Sequence, residues 1–320
     1  MTSDVILVGT GQMAKAHAAV LAALDVGFTA VSRGEASATR FTEETGHPAV
    51  AGGLEARIRA HGAPARAVVA VPIVDLAATT RLLVDAGCKE ILLEKPAAVD
   101  AAGIFALARH VATTSARVTV AYNRRYYDSV TTARARIAED GGAQSLFFEF
   151  TEVGDRVGVL PYDPAVLANW ELANSTHVFD TAFFLAGRPA EIEGSISGGL
   201  PWHPRGSRWV GHGRTESGAD FAYFADWDAP GRWGIEVNTR ANRYVLRPME
   251  TLQVQKRGTF SLEPVPLDDD LDRRFKPGLY RQTEAWLAGG DDRSIDLGRY
   301  ASNIRLLSVA ILGEPLSKVG

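Results

Sequence analysis

Three short stretches hold residues whose types and spacing can do chemistry: Gly9-Thr10-Gly11-Gln12-Met13-Ala14, Glu94-Lys95-Pro96 and Asn174-Ser175-Thr176-His177. In the first, Gly9 permits a tight turn, Gly11 lets backbone approach an anion, and Ala14 lets a helix pack closely on a strand. The backbone N–H groups of such a helix start favour a pyrophosphate. In the second, an ammonium group at a strand end can stabilise an oxygen that becomes negative as hydride reaches its carbon. In the third, an imidazole can give or take the matching proton near neutral pH. Each has a plainer reading: a glycine turn without ligand, a solvated lysine, a structural helical histidine.

The residues about 20 positions beyond the glycines select the cofactor, an acid there accepting from the ribose 2′-hydroxyl of NAD. This chain has Val31-Ser32-Arg33-Gly34, with no acid before Glu35. Ser32 and Arg33 can hold a 2′-phosphate instead, so the expected cofactor is NADP(H). The alternative is that Arg33 is a solvated turn residue.

These residues need elements to position them. The apolar run Val5–Val8 is followed by helical spacing from Gln12 to Leu24, then by short strands at Phe28–Val31, Ala67–Val71, Ile91–Leu93 and Val118–Val120. Helices are expected near Ala36–Thr45, over Val74–Ala86 with Gly87 as the terminating residue, and from an Asp100 cap to Val111. Short, continuously apolar strands joined by helices indicate a doubly wound parallel sheet covered on both faces. Beyond Val120, Gln144–Thr151, Gly218–Trp227, Gly231–Thr239, Tyr244–Pro248 and Thr251–Arg257 alternate like strands of a meander. The expected organisation is residues 1–121 as an α/β Rossmann domain, and residues 122–320 as an α/β substrate-binding and dimerisation domain.

The turn Gly9–Ala14 with His17 following, Val71-Pro72 after strand four, Glu94-Lys95-Pro96 after strand five, and His177 with Asp180 three residues on together resemble the Gfo/Idh/MocA oxidoreductases. The resemblance covers most of the chain. It implies an N-terminal Rossmann domain and a second domain with a large open, mostly antiparallel sheet, the substrate lying between sheet and nicotinamide. It implies that Lys95 touches both substrate and cofactor and that His177 handles the proton. Val71, Pro72 and Glu94 then join Gly9, Gly11, Gln12, Met13, Ser32, Arg33 and Lys95 as expected cofactor contacts. Glu94 either orients Lys95 or turns to solvent. Many relatives place an Asp four residues before the His, where this chain has Ala173, leaving Asn174 as its nearest polar neighbour.

The run Asn123-Arg124-Arg125 sits where such relatives carry an Asn and an Arg facing the site, so Asn123 and Arg125 are expected substrate contacts, Arg124 ranking below them. Arg there suits an anionic group such as a phosphate. Trp170, Asn174 and His177 complete the expected substrate set. A looser likeness to relatives of surface-polysaccharide and nucleotide-sugar pathways implies a sugar-derived substrate, with ketone reduction as the favoured direction. Reduction of an imine or non-sugar carbonyl, or a catalytically inactive NADPH sensor, are the rival readings. Trp202–Arg214, with two His, three Arg and two Trp, reads either as a substrate-gripping loop or as a surface loop. Its histidines are nine apart without acidic or Cys companions, so no metal is expected.

A net charge of −4 excludes a nucleic-acid-binding surface of the usual basic kind. No apolar stretch approaches the ~20 residues of a membrane span, so no membrane partner is expected. A single cysteine, Cys88, excludes an intrachain disulfide and fits a cytoplasmic setting, as does the lack of a leader-like start. The resemblance adds a homodimer or homotetramer as the expected assembly.

Overall fold

A computed structural model describes residues 5–313 of the chain. The chain forms two compact units, Met1–Asn123 with Leu271–Ala301, and Arg124–Asp270 with Ser302–Gly320. The division is therefore not a single cut near residue 121. Leu271–Ala301 returns to the first unit because its helix Leu279–Leu287 carries Trp286, which is buried in that unit's core with Leu7, Ala14, Leu21 and Leu92.

In the first unit, β1 (Val5–Val8), β2 (Phe28–Val31), β3 (Ala49–Val50), β4 (Arg66–Val69), β5 (Glu90–Glu94) and β6 (Arg117–Ala121) form one sheet. Its order is β3-β2-β1-β4-β5-β6, and every pair is parallel. All carboxyl ends thus share one edge, with the reversal of strand order between β1 and β4. The strand interiors are fully apolar, Val5 to Val8 and Ile91 to Leu93 being at most 4% exposed. That is why these strands read as unbroken hydrophobic runs. Asp100 caps its helix as expected, accepting from Gly103 N at 2.7 Å. Gly87 ends the helix Ile73–Ala86 in the left-handed region, at φ 101°. Neither β3 nor the helix Gly53–His61 leaves a hydrophobic pattern long enough to read. The strand is two residues long, and the helix buries only Leu54.

The second unit holds β7 (Ser145–Phe150), β8 (Pro189–Ser197), β9 (Arg208–Thr215), β10 (Asp220–Asp226), β11 (Trp233–Asn238), β12 (Asn242–Leu246), β13 (Gln253–Lys256) and β14 (Glu263–Pro264). Their order is β14-β13-β12-β11-β7-β10-β9-β8. This is mostly antiparallel, as expected, but it is not a meander. β7 inserts between β10 and β11 and runs parallel to β10, with Ser145 opposite Asp220. Turn residues predict local hairpins and are silent on such long-range insertion. The helix Thr176–Ala186 covers one face, where Phe179 meets Phe150 edge to face at 4.7 Å and Phe148 at 6.2 Å. Burying a Phe in this way contributes roughly 1.5–3 kcal/mol. The segment Trp202–Arg214 is neither a substrate loop nor a surface loop. Its second half is β9, and in its first half Trp202 stacks on Trp227 while His203 is fully buried.

Candidate active site

At the carboxyl edge of the first sheet, Gly9 sits at φ 118°, and a Cβ there would come within 2.2 Å of the Ala70 carbonyl oxygen. Only glycine lets β1 turn this close to the end of β4. Gly11 caps the helix Gln12–Ala23 with no side-chain hydrogen bond, and a Cβ on it would meet open space. The first N–H groups of that helix therefore face outward unclaimed by a cap, next to room for a ligand. A dinucleotide pyrophosphate fits this cradle. Gln12 is exposed, and Met13 packs on the core beside Ala14.

Ser32 follows β2 and is 4% exposed, its hydroxyl turned inward to Gly34 O at 3.2 Å and to Ser37 Oγ. Arg33 is the opposite: its side chain is 80% exposed and pairs with Asp75 at 3.1 Å. Asp75 lies in the first turn of the helix that Pro72 begins, so Arg33 and the Val71-Pro72 turn share one neighbourhood. β5 ends at Glu94, followed by a turn in which Ala97 N donates to Glu94 O at 3.2 Å. Lys95 is half-buried, and the Tyr300 hydroxyl donates to Pro96 O at 3.1 Å. Glu94 does not turn to solvent. It is buried, with Oε1 3.0 Å from Nε2 of the fully buried His17. That contact ties the strand end bearing Lys95 to the helix behind the glycine turn.

In the second unit the run after β6 behaves differently from expectation. Asn123, the last residue of the first unit here, donates from Nδ2 to Pro277 O at 2.8 Å, and the Gln282 side-chain oxygen accepts from the N–H of Tyr122 and Asn123 at 2.9 and 3.2 Å. Arg125 gives Nε and Nη2 to the two oxygens of Asp180 at 2.7 and 2.6 Å. The Arg124 guanidinium lies 4.9 Å from the Trp233 ring and 5.7 Å from the Tyr127 ring, and burial pushes its pKa down from the ordinary value.

His177 is buried, its ring 6.3 Å from that of Trp233. It begins a regular helix directly after a π-helical turn, Glu171–Ser175. Such turns hold side chains off the regular helical face. Asn174 lies in that turn, whereas His177 and Asp180 lie in the regular helix. Asn174 donates to both oxygens of Glu152 at 3.0 and 3.2 Å, joined there by the Ser175 hydroxyl at 2.8 Å. Asp180 is committed to Arg125. Below the turn, the buried Glu171 takes His203 Nε2 at 2.8 Å and Arg205 at 2.6 Å, while His203 Nδ1 meets Gly206 O at 2.7 Å. Trp170 is buried beside Tyr162, and its Nε1 makes no hydrogen bond.

The contact between Arg124 and Trp233 left no mark in the sequence. Nor did that between Glu152 and Asn174. Trp233 starts β11 opposite Phe150, two residues before Glu152, a register between distant strands that leaves no local mark in the sequence. Among the described residues, no cluster of His, Cys, Asp and Glu is arranged to hold a metal ion. No described helix is long and apolar enough to cross a membrane.

Residues 4–122 match the model of the Gfo/Idh/MocA oxidoreductase family, described by its NAD-binding Rossmann fold. No curated protein matches its sequence. Solved structures share the fold over nearly the whole chain. Levoglucosan dehydrogenase in complex with NADH is 17% identical, with 98% of this chain and 97% of that one covered at a TM-score of 0.78. An NAD-binding oxidoreductase from Klebsiella pneumoniae is also 17% identical, with 98% and 97% covered at 0.77. UDP-N-acetylglucosamine 3-dehydrogenase from Acidithiobacillus ferrooxidans is 15% identical, with 99% and 98% covered at 0.73. These identities establish a shared architecture.

Proposed function

We propose that the protein is an NADP(H)-dependent oxidoreductase that moves hydride to or from a carbohydrate carbon bearing a hydroxyl or carbonyl, on a nucleotide sugar or sugar phosphate. The observation that carries this is the glycine cradle: Gly9 without room for a Cβ and Gly11 at an uncapped helix start, on the same sheet edge as Lys95. Sugar dehydrogenases of the same architecture support the substrate class. The lack of a carboxylate between Val31 and Gly34, with Arg33 in its place, supports NADP(H) over NAD.

A bound nicotinamide supplies or accepts the hydride. The Lys95 ammonium stabilises the oxygen on the reacting carbon as it gains charge. In the second unit His177 is the candidate to give or take a proton, at Nε2, since Nδ1 is sealed from solvent. Glu94 and His17 hold the Lys95 turn, and Glu152 holds Asn174 beside the imidazole helix. A second copy of the chain is proposed to cover the exposed face of the eight-stranded sheet, where Val210 and Phe224 lie opposite each other and are 55% and 39% exposed. The lone buried cysteine fits a cytoplasmic setting.

The test is turnover of NADPH or NADP against a panel of keto-sugars, sugar phosphates and nucleotide sugars. Lys95→Ala and His177→Asn should each lower kcat by about 100-fold or more, the usual weight of a charge stabiliser or a general acid–base. Full turnover by Lys95→Ala on the best substrate refutes the mechanism. Tight NADPH binding with no turnover on any member of the panel makes the protein a cofactor sensor instead.

A further inference from the structure

The strap between β8 and β9 sends two side chains to Glu171. His203 Nε2 lies 2.8 Å from Glu171 Oε2, and Arg205 Nη2 lies 2.6 Å from Oε1. His203 Nδ1 gives its N–H to Gly206 O at 2.7 Å, because a carbonyl oxygen only accepts. The contact at Nε2 therefore needs a proton of its own, shared between imidazole and carboxylate. Indole rings pack around the imidazole, Trp227 at 4.9 Å, Trp202 at 5.7 Å and Trp209 at 5.8 Å. Arg205 continues to Asn169 Oδ1 at 3.0 Å, two residues before Glu171. Glu171 and His203 are both at most 1% exposed. Apolar side chains of similar volume are often at least as stabilising as a buried ionic cluster, so stability does not explain this one.

What the cluster holds is a turn. Glu171 opens the π-helical turn Glu171–Ser175, and its carbonyl accepts from the N–H of Thr176, the residue before His177. Glu171 is thus anchored twice, by its side chain to the strap and by its backbone to the helix start. At the other end of the turn Glu152 takes Asn174 and Ser175. A π turn spends one residue more than an α turn, so closing it would rotate all that follows by about 100° about the helix axis. His177 is the second residue beyond the turn. We propose that Glu171, clamped by His203 and Arg205, is a positioning residue that keeps this turn wide and so sets where the His177 imidazole points. Buried as it is, Glu171 acts through the backbone and not on a ligand. The inference rests on the proposed dehydrogenase reading for calling His177 the proton-transfer group; the clamp itself is tested without turnover.

The experiment is nuclear magnetic resonance of the full chain with isotope-labelled histidine, joined to steady-state kinetics. His177→Asn identifies the His177 ring signal among the seven histidines. Glu171→Met, which keeps the length of the side chain and loses both contacts, should move that signal. On the best substrate it should lower kcat by about tenfold to a hundredfold, the cost of a reacting group about 1 Å out of place, with KM within about twofold. Glu171→Gln retains an acceptor for Arg205 and should show smaller changes in both. Tyr244→Phe removes a hydrogen bond to Asp140 at 2.9 Å, outside the clamp, and should leave signal and kcat unchanged. If Glu171→Met fails to fold, Arg205→Met decides by the same two measurements. An unmoved His177 signal in the folded variant overturns the proposal. So does a moved signal with undiminished kcat, or a change in Tyr244→Phe as large as in Glu171→Met. No turnover by the wild type refutes the dehydrogenase reading, and the His177 signal then decides the clamp alone.

Discussion

The two units bury charge in opposite ways. Among the described residues, the buried charged side chains of the first unit come down to His17 and Glu94, which meet each other. Its ligand edge is built from backbone: a glycine turn, an uncapped helix start and the ends of parallel strands. The second unit buries Arg125, Glu152, Glu171, His177 and His203, most of them committed to named partners. Its candidate site is built from side chains, and every position there depends on what each neighbour has already taken. A backbone-built site tolerates wide sequence change around a few glycines. A site of paired charges fails when one partner is removed.

The largest expected effect is on that pairing. Arg125→Ala leaves Asp180, whose side chain is 7% exposed, without its partner. An uncompensated buried charge costs about 3–5 kcal/mol, which urea unfolding will read as a marked drop in midpoint. The double variant Arg125→Met/Asp180→Leu should recover at least half of the loss, because it removes both charges together. A single variant costing under about 1 kcal/mol would mean that the pair is effectively hydrated, and the contrast between the units would collapse.

The same contrast explains what was legible in the sequence. Gly9, Gly11 and Ala14 could be placed because their chemistry is that of the backbone between a strand and a helix, and both elements announce themselves by periodicity. The open antiparallel sheet was legible in kind, since its strands alternate. The insertion of β7 beside β10 was not, because register between distant strands leaves no local mark. Two adjacent arginines look alike in the sequence and differ in the fold: Arg125 grips Asp180, while Arg124 lies against the Trp233 ring. Sequence spacing shows that Arg125 and Asp180 exist; only the fold shows that they meet. The π-helical turn at Glu171–Ser175 was equally silent in the sequence, and it places Asn174 outside the regular helix that carries His177.

The next effect belongs to the first unit, whose interior should stay neutral. Burial pushes the Cys88 thiol up to about 11 from an ordinary 9.0. The folded state therefore holds its proton where the unfolded chain has lost it. Stability from this group is complete below pH 9 and falls as pH rises toward 11, by about 2–3 kcal/mol in all. Wild type and Cys88→Ala should show a stability difference that is constant from pH 7 to 8.5 and then shifts in favour of the variant. A flat difference up to pH 11 would show the thiol to be hydrated in the folded protein.

The smallest effect tests the point where the backbone-built edge relies on a side chain. Arg33 is 80% exposed and already shares its charge with Asp75, so its grip on a 2′-phosphate lies at the weak end of charged hydrogen bonds, about 1.5 kcal/mol. That corresponds to roughly a tenfold preference for NADPH over NADH. Arg33→Asp should erase it and turn it toward NADH, since the new carboxylate repels the phosphate and can accept from the ribose hydroxyl. Fluorescence titration of both cofactors against both proteins measures the change. Ser32 is unable to compensate while its hydroxyl remains turned to Gly34 and Ser37. An NADPH preference that survives in Arg33→Asp would therefore place the selection on backbone groups after β2, extending the backbone character of this edge to the last position where a side chain was thought necessary.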